Sequence, residues 1–305
     1  MDRDLLTHFP IVLMVARRGG FASAAAALNM SPSAVSHAVK AVEDRLGQPL
    51  FVRTTRSVAL TEAGASFVAS IGPALATVEE SIERLRAAKG QVGGLLRLNA
   101  PRVALPLAIT PTLVAMSRLY PDLTIEVTAD DGFVDIVAAG FDAGVRLGEM
   151  IAQDMVAVRL TEPFQAIMVA APRYIDAHGA PETIADLAAH NCIGYRLISS
   201  DAVYAWELRD GGGEVSVTIS GSVRVTDSLY ARELALQEVG IAYLFEPLVR
   251  DDLRADRLQQ ILPQASIDEP GLFLYFPRHM SQTPKLRAFI DTARRTLYPK
   301  QVNRR

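Results

Sequence analysis

The sequence predicts a multidomain chain with an amino-terminal all-α winged helix-turn-helix, a long linker helix and a carboxyl-terminal α/β region. Three observations predict this fold class. Two short helical segments joined by a polar turn lie within residues 20–60, a helix with heptad-spaced apolar residues follows in residues 61–90, and strands alternate with helices from residue 91 onward. The last pattern is typical of a parallel α/β sheet.

The chain begins with a helical pattern over residues 5–18, which predicts a first helix that completes a small bundle. Arg17 and Arg18 stand at its end, where positive charge suits the helix dipole. A phosphate contact and a solvated helix end are equally good interpretations of these two arginines.

The helix-turn-helix is indicated by an Ala-rich segment at residues 24–28, a polar break at residues 29–33 and a periodic segment at residues 34–46. Ser31 can cap the second helix, and Pro32 is tolerated in its first turn. Apolar residues three and four positions apart predict one buried face on this helix. These residues are Val35, Val39, Val42 and Leu46.

The opposite face of the second helix carries short polar and basic groups, of the kind that contact base edges and phosphates in a major groove. A wing follows at residues 53–56, with two arginines. The sequence therefore predicts these DNA-binding residues: Ser31, Pro32, Ser33, Ser36, His37, Lys40, Arg53 and Arg56. The alternative is a well-packed helical bundle with no DNA-binding role.

A long helix is predicted over residues 61–89, with an apolar seam at three- and four-residue steps. The seam consists of Val68, Ile71, Leu75, Val78, Ile82 and Leu85. Pro73 would kink the helix or loosen one hydrogen bond. We interpret the seam as a dimerisation surface; packing of the helix on the carboxyl-terminal core is the alternative. Residues 91–94 then mark a domain boundary.

The net charge of −3 is unevenly distributed along the chain. Residues 1–60 hold seven Lys or Arg against four Asp or Glu, whereas residues 91–305 hold 21 against 26. Positive charge thus coincides with the predicted DNA-binding segment, and the acidic remainder would be kept off DNA. Because the local excess is only +3, we expect two or more copies to bind together.

Other classes of protein find little support. The amino terminus does not resemble a signal peptide and no apolar run reaches the length of a membrane span, so we expect a cytoplasmic protein without a membrane partner. Cys192 is the only cysteine, and five histidines show no metal-ligand spacing. No nucleophile motif is present either. An enzyme or small-molecule carrier is therefore a weaker hypothesis, and so is a purely architectural DNA binder. We expect no catalytic residue, metal or cofactor.

Beyond residue 91, strands are predicted at residues 95–100, 123–127, 143–145, 164–170, 192–195, 205–208, 241–245 and 272–276. Helices are predicted at residues 105–119, 133–139, 228–239, 247–254 and 286–297, with a short one opening at Pro172. The run of three glycines at residues 211–213 lacks the spacing of a phosphate-binding loop and predicts a hairpin turn.

These residues together resemble the LysR-type transcriptional regulators. The amino-terminal resemblance rests on Gly19, Ala24, Ala25, Leu28, Ser31, Val35, Ser36, Leu46, Gly47, Leu50, Phe51, Arg53, Leu60, Thr61, Glu62, Ala63 and Gly64. One position departs from the family, because Ala22 stands where a capping Ser or Thr is usual. Ser23 is then a candidate cap, which would shift the helix start by one residue.

The carboxyl-terminal resemblance rests on residues 96–101, 120–121, 140–148, 239–242 and 284–289. It implies a two-lobed α/β effector domain that is similar to periplasmic solute-binding proteins. The domains would be residues 1–60 for DNA binding, 61–90 for the linker helix and 91–305 for effector binding. Lobe one would comprise residues 91–162 and 268–305, and lobe two residues 163–267. Promoter DNA, a small-molecule effector and a homodimer or homotetramer are the implied partners, and a contact with RNA polymerase stays open.

Ligands of open α/β sheets lie beyond the carboxyl ends of the strands. This rule and the resemblance together predict the effector-binding residues Pro101, Arg102, Val103, Asp130, Asp131, Arg146, Tyr204, Thr226 and Gly240. Arg102 and Arg146 would suit an anionic effector, because guanidinium pairs with carboxylate. The alternative is that Asp130 and Asp131 occupy these arginines in ion pairs within the protein.

Overall fold

The structure is a computed structural model that describes residues 3–53, 58–87, 91–148 and 155–298. Its internal contacts divide the chain into two units, Met1–Gln91 and Val92–Arg305. No helix in the described ranges is both long and apolar enough to cross a membrane.

The first unit contains five helices and one short hairpin in its described part. The helices are α1 (Arg3–Leu6), α2 (Phe9–Arg18), α3 (Phe21–Leu28), α4 (Pro32–Leu46) and α5 (Glu62–Ala87). The antiparallel hairpin consists of β1 (Phe51–Arg53) and β2 (Val58–Leu60). The fold is the predicted winged helix-turn-helix followed by a long helix.

The core of the first unit is formed by α2, α3 and α4 together with the start of the hairpin. Val12, Val35, Val39 and Val42 are inaccessible to solvent, and Leu50 is nearly so. The prediction that Leu46 lies on the buried face of α4 is wrong, because 41% of this residue is exposed. It is the last residue of α4, and Gly47 turns the chain away in the left-handed conformation.

The start of α3 also differs from the prediction. The helix begins at Phe21 with Gly20 as its N-cap residue, and no side chain caps it. Ser23 lies inside the first turn, where its hydroxyl donates to the carbonyls of Gly20 and Arg18 at 3.0 and 3.2 Å. The helix therefore starts before Ser23, and the candidate cap is wrong.

Helix α5 is continuous over 26 residues despite Pro73 in its interior. Thr61 caps it, since its hydroxyl accepts from the Gly64 backbone N–H at 2.9 Å and donates to the Pro49 carbonyl at 2.7 Å. A Cβ on Gly64 would lie 2.0 Å from the Leu50 carbonyl oxygen. The first turn of α5 can therefore approach the hairpin this closely only with glycine at position 64.

The second unit contains two lobes, and the first is built on a five-stranded sheet of order β4-β3-β5-β15-β6. Its strands are β3 (Gly94–Ala100), β4 (Leu123–Ala129), β5 (Ala143–Leu147), β6 (Met155–Arg159) and β15 (Leu272–Pro277). A π-helical turn (Leu105–Ile109), α6 (Thr110–Leu119) and α10 (Pro284–Leu297) complete lobe one, and α10 packs on α6 and β3.

Lobe two is centred on β7 (Phe164–Ala170), which pairs with three later strands. These are β12 (Ala242–Phe245), β13 (Gln259–Ile261) and β14 (Ile267–Glu269). The other strands are β8 (Gly194–Tyr195) paired with β11 (Arg224–Val225), and β9 (Trp206–Asp210) paired with β10 (Gly213–Val217). The helices are α7 (Pro172–His178), α8 (Ser228–Leu236) and α9 (Glu246–Arg254), with 3-10 turns at Ile184–Ala189 and Pro263–Ala265.

The expectation of a parallel sheet is only partly right. In lobe one β3 is parallel to β4 and β5, but β15 is antiparallel to β5 and β6. In lobe two β12, β13 and β14 all run antiparallel to β7. The chain enters β15 after it has traversed lobe two, so this strand is not joined to its neighbours by a helical crossover, which is what imposes parallel direction.

The helix predicted at residues 133–139 does not form. A single turn lies there, in which Asp135 accepts from the backbone N–H groups of Val137 and Ala138 at 3.0 Å. The chain then ends the turn at Gly140, whose φ is +73°. The Asp135 side chain satisfies the backbone N–H groups of this turn, but the segment is too short to form further helical hydrogen bonds.

Two crossovers connect the lobes, at residues 160–163 and 270–271. The Leu272 N–H donates to the Thr161 hydroxyl at 2.9 Å, and the Leu160 N–H donates to the Leu272 carbonyl at 2.8 Å. Gly271 has φ +88°, and a Cβ there would lie 2.8 Å from the Glu162 carbonyl oxygen. The two crossovers therefore lie side by side. A side chain at position 271 would prevent this close approach, because it would collide with the backbone of the other crossover.

Candidate nucleic-acid interface and ligand cleft

Helix α4 is held in place from both ends. Ser31 accepts a hydrogen bond from the Ala34 N–H at 3.1 Å, and Pro32 occupies the first turn, where a missing N–H costs nothing. At the other end Gly47 in the left-handed conformation donates to the Glu43 carbonyl. The predicted cap by Ser31 is confirmed.

The side of α4 that faces away from the core is polar and exposed. Ser33, His37 and Lys40 are exposed, Ser36 is half-buried, and Ser31 and Pro32 are exposed where the helix begins. The hydroxyls of Ser31 and Ser33 are 2.9 Å apart. Six of the eight predicted DNA-binding residues thus lie along or at the start of one helix. Arg56 and the side chain of Arg53 lie outside the described residues.

Sequence reasoning missed the role of Glu43. Its Oε1 accepts from the Leu50 N–H at 2.8 Å and from the Phe51 N–H at 3.2 Å. This carboxylate therefore ties the end of α4 to the start of the hairpin, and so sets where the wing begins. A carboxylate four residues before a helix-ending glycine could have suggested a capping role.

The predicted seam on α5 is divided into two halves. Val68, Ile71 and Leu75 pack against the core of the first unit. The three later residues are exposed, with Val78 at 55%, Ile82 at 47% and Leu85 at 72%. The exposed half spans two turns with apolar residues on one side, so it is the part of the seam that is available to another chain.

In lobe one, Arg102 and Asp131 form an ion pair at the carboxyl ends of β3 and β4. Arg102 Nη1 lies 2.6 Å from Asp131 Oδ2, and the Arg102 backbone N–H donates to Asp131 Oδ1 at 2.7 Å. The hydrogen bond from the Arg102 side chain to Asp131 is the main reason that the pKa of Arg102 is raised above its usual value. Of the two interpretations of Arg102, the structure supports an ion pair within the protein.

Arg146 is buried and hydrogen-bonded without a carboxylate among its partners in the described residues. Its Nη2 donates to Asn99 Oδ1 and to the Gly132 carbonyl, both at 2.8 Å, and its Nη1 donates to the Val145 carbonyl at 2.7 Å. Asp130 instead accepts from the Gly132 N–H at 2.8 Å. Arg146 thus fixes the loop after β4 from inside, and the alternative that Asp130 or Asp131 pairs with it is wrong.

Lobe two faces this edge with the ends of β8 and β11. An open cavity of about 530 Å³ lies there, lined by Arg196, Arg224, Val225, Thr226, Asp227 and Tyr230. Asp227 caps α8, because its Oδ1 accepts from the N–H groups of Leu229 and Tyr230 at 2.8 and 3.2 Å. The other oxygen, Oδ2, lies 3.6 Å from Arg102 Nε. The two lobes therefore meet through one arginine with two carboxylates.

Tyr195 belongs to the same polar group. Burial, followed by the charges of Asp131 and Asp227, raises its pKa to about 12. Its hydroxyl therefore stays protonated near neutral pH and can donate a hydrogen bond. These residues bring a polar group of lobe one, Arg102, to Asp227, which lines the cavity on lobe two.

The structure brings only part of the predicted effector set together. Arg102, which is held by Asp131, reaches Asp227 on the lobe-two wall, and Thr226 lines the cavity. Tyr204 donates its hydroxyl to Glu207, and a Cβ on Gly240 would lie 2.0 Å from the Asn191 carbonyl, so these two residues have structural roles in lobe two. Pro101 and Val103 are half-buried beside Arg102.

The sequence reasoning did not identify Arg196 and Arg224. Arg224 lies on a strand pairing that spans only two residues per strand, and Arg196 directly follows the other strand of that pair. Such a short pairing gives no periodic signal in the sequence. Cys192 is buried, and burial raises its pKa to about 11, so it is not a thiolate near neutral pH. Within the described ranges, no three His, Cys, Asp or Glu side chains are grouped to hold a metal ion.

Comparison with known proteins agrees with this architecture. Residues 6–65 match the model of the bacterial regulatory helix-turn-helix proteins of the lysR family, and residues 89–297 match that of the LysR substrate binding domain. The HTH-type transcriptional regulator YcaN of Escherichia coli, itself uncharacterized, is 35% identical and covers 94% of this chain and 93% of its own length. The regulator PgrR of the same organism is 31% identical and covers 95% and 97%.

Two solved structures share the fold over nearly the full chain. CrgA, a LysR-type transcriptional regulator from Neisseria meningitidis, superposes with a TM-score of 0.62 at 24% identity, covering 96% of this chain and 98% of its own. Full-length LysG from Corynebacterium glutamicum with bound effector Arg superposes with a TM-score of 0.61 at 21% identity, covering 95% and 98%. At these identities the likeness concerns the fold.

Proposed function

The chain belongs to the LysR family of bacterial transcriptional regulators, and from this premise we propose which of its surfaces read DNA, pair subunits and take a ligand. Its function is therefore regulation of transcription by DNA binding, and not catalysis. Such a protein acts where the chromosome is, so we infer that it works in the cytoplasm.

We assign DNA reading to α4, and one observation carries this assignment. The helix is capped at both ends and buried along Val35, Val39 and Val42, yet it presents Ser33, His37 and Lys40 to solvent. A rigid helix with short polar groups fits a major groove, and lysine adds a contact to phosphate. The arginines of the wing, Arg53 and Arg56, are proposed as further phosphate contacts from their charge and position alone.

We assign subunit pairing to the exposed half of α5. Three apolar residues on one side of a helix, each at least 47% exposed, are a surface that a second copy of the same helix would cover. Val68, Ile71 and Leu75 are occupied by the first unit's own core, so the pairing surface is shorter than the sequence predicted. A homodimer is the smallest assembly that satisfies it.

We assign effector binding to the cleft in the second unit. The cavity of about 530 Å³ is within the range of roughly 300 to 1,000 Å³ that small-molecule sites occupy. Arg102 spans from Asp131 on one lobe to Asp227 on the other. A ligand that binds one arrangement of the lobes better than another would shift the subunit geometry, and so the affinity for DNA.

A random-sequence selection tests the assignment of α4. The full chain would be presented with a pool of randomised duplexes, and the enriched sites of wild type would be compared with those of His37→Ala and Ser33→Ala. We expect two half-sites, with base preference lost at one or two positions per half-site in each variant. Identical preferences in all three proteins would show that α4 does not read the bases, whatever else the chain binds.

A further inference from the structure

The charge on the lobe-two wall of the cleft is not balanced. Arg196, Arg224 and Asp227 are the charged residues that line the cavity. Asp227 is already occupied, since one oxygen caps α8 and the other faces Arg102. The wall therefore presents two guanidinium groups with no free carboxylate of its own.

The side chain of Arg224 has no hydrogen-bond or ion-pair partner anywhere in the described part of the chain. Arg196 has one, because its Nη1 lies 2.7 Å from Asp201 Oδ1. That pair is exposed on both sides, at 49% and 81%, and such pairs contribute little. A ligand anion therefore meets one free guanidinium and a second one that is weakly held.

The position of Arg224 is fixed by the strand beneath it. Arg224 pairs with Gly194 in the parallel β8–β11 register. Arg196 directly follows β8, two residues after Gly194, so it lies on the same face as Gly194. A Cβ on Gly194 would lie 3.3 Å from Arg224 Cγ. The aliphatic part of Arg224 therefore lies over Gly194, on the face that also carries Arg196.

We propose that the effector is a small organic carboxylate whose carboxylate group binds Arg224, with Arg196 beside it. This proposal rests on the proposed function of the cleft. Guanidinium and carboxylate form paired, charge-assisted hydrogen bonds. The cavity is several times larger than an inorganic anion needs, and the exposed ring of Tyr230 supplies apolar surface for an organic body. Arg102 and Arg146 do not take this role, because both are occupied within lobe one.

The test uses the full chain and matched pairs of probes that differ only in charge. Benzoate and succinate would be compared with benzamide and succinamide, and inorganic phosphate would serve as the purely inorganic anion. Binding is measured by calorimetry and by the shift of the thermal unfolding midpoint, which rises with any ligand that binds only the folded state. We expect at least one carboxylate to bind and its amide to bind at least about tenfold more weakly.

Arg224→Gln is the decisive variant, and Arg173→Gln is its control. Arg173 is an 84% exposed arginine of α7 whose nearest carboxylate, on Glu238, is 3.7 Å away. We expect Arg224→Gln to lose about tenfold or more in carboxylate affinity, while Arg173→Gln binds like wild type. Both variants should show unchanged circular dichroism, because neither side chain belongs to the core, and Arg173→Gln should also bind DNA as wild type does without a probe.

Three results would overturn the proposal: no carboxylate binds, an amide binds as well as its carboxylate, or Arg224→Gln binds as wild type does. Stronger binding of phosphate than of either carboxylate would assign the site to inorganic or phosphoryl anions and would also overturn it. Failure of the proposed function looks different. In that case carboxylates bind through Arg224 but leave the affinity for DNA unchanged.

Discussion

Arg102 of lobe one faces Asp227 of lobe two across the cleft, with Nε 3.6 Å from Oδ2. The same guanidinium is held more closely by Asp131, at 2.6 Å. The bond within lobe one therefore dominates, and the contact between lobes is the weaker one. A cleft whose lobes are joined by a weak, replaceable ion pair can change its opening when a ligand enters, without loss of the fold of either lobe.

The first prediction separates the two roles of Asp227. Asp227→Asn keeps the helix cap but removes the charge that faces Arg102, so we expect less than about 1 kcal/mol of lost stability. Asp227→Ala loses the cap as well and should cost about 1 kcal/mol more. Urea unfolding of the full chain measures both. Equal losses in the two variants would mean that the cap contributes nothing.

The second prediction concerns a buried carboxylate in lobe two. Asp252 has no exposed surface on its side chain and accepts from Arg232 at 2.5 and 2.8 Å and from Arg257 at 2.6 and 3.0 Å. Because both arginines are partly exposed, we expect Asp252→Asn to lose about 1 to 3 kcal/mol of stability. The neighbouring Asp251, whose side chain is 87% exposed, supplies the control. Asp251→Asn should stay within about 0.5 kcal/mol of wild type.

The same residue predicts a pH dependence. Burial alone would raise the pKa of Asp252, but the hydrogen bonds and charges of Arg232 and Arg257 outweigh burial and hold it below its usual value. A carboxyl group with a lowered pKa stabilises the fold above its unfolded pKa of about 3.9, and this contribution is lost as pH falls through the folded value. The stability difference between wild type and Asp252→Asn should therefore shrink below about pH 4. A difference that is constant down to pH 2 would contradict this account.

The third prediction concerns the exposed half of α5. Ile82→Asp places a charge where a second helix would pack, and burying it unpaired should weaken the dimer by roughly tenfold or more. Thr77→Asp is the control, because it adds the same charge five residues earlier at another exposed position, about 140° around the helix. Sedimentation equilibrium measures both. If Ile82→Asp assembles like Thr77→Asp, this side of α5 is not the interface.

The fourth prediction concerns phosphate contact by α4. Lys40→Ala should weaken binding to all DNA sequences alike and lower the salt slope by about 0.9 for each phosphate contact that is lost. Arg118→Ala removes one positive charge from an exposed position on α6 and should leave the slope unchanged. The measurement is a titration of affinity against salt concentration. A sequence-dependent loss in Lys40→Ala would point to a base contact instead.

Helix α4, to which we assign DNA reading, could be predicted because its signals are local. Ser31, Pro32 and Gly47 mark where α4 begins and ends, and the spacing of its valines marks the buried side.

Part of the carboxyl-terminal resemblance to the family also has a structural explanation. Asp142 accepts from the Arg97 N–H at 2.7 Å and pairs with Lys285 at 3.2 Å, so residues from three resembling segments meet in lobe one.

The cleft was less predictable because it depends on contacts between distant residues. The sequence indicated both Arg102 and Asp131 as effector-binding residues. Their pairing with each other depends on the conformation of two loops, and hydrophobic periodicity does not predict loop conformation. Arg224 lies over Gly194, thirty residues earlier, on a pairing of two residues per strand. No local pattern indicates that pairing, and so the free arginine became visible only in the fold.

The central claim is that this chain reads operator DNA through α4 as an assembly of at least two copies. A footprint of the purified full chain on the DNA upstream of its own gene tests that claim most directly, with His37→Ala beside wild type. We expect wild type to protect two or more half-sites and the variant to lose that protection at equal concentration. Protection of a single site by wild type, or equal protection by the variant, would contradict the account.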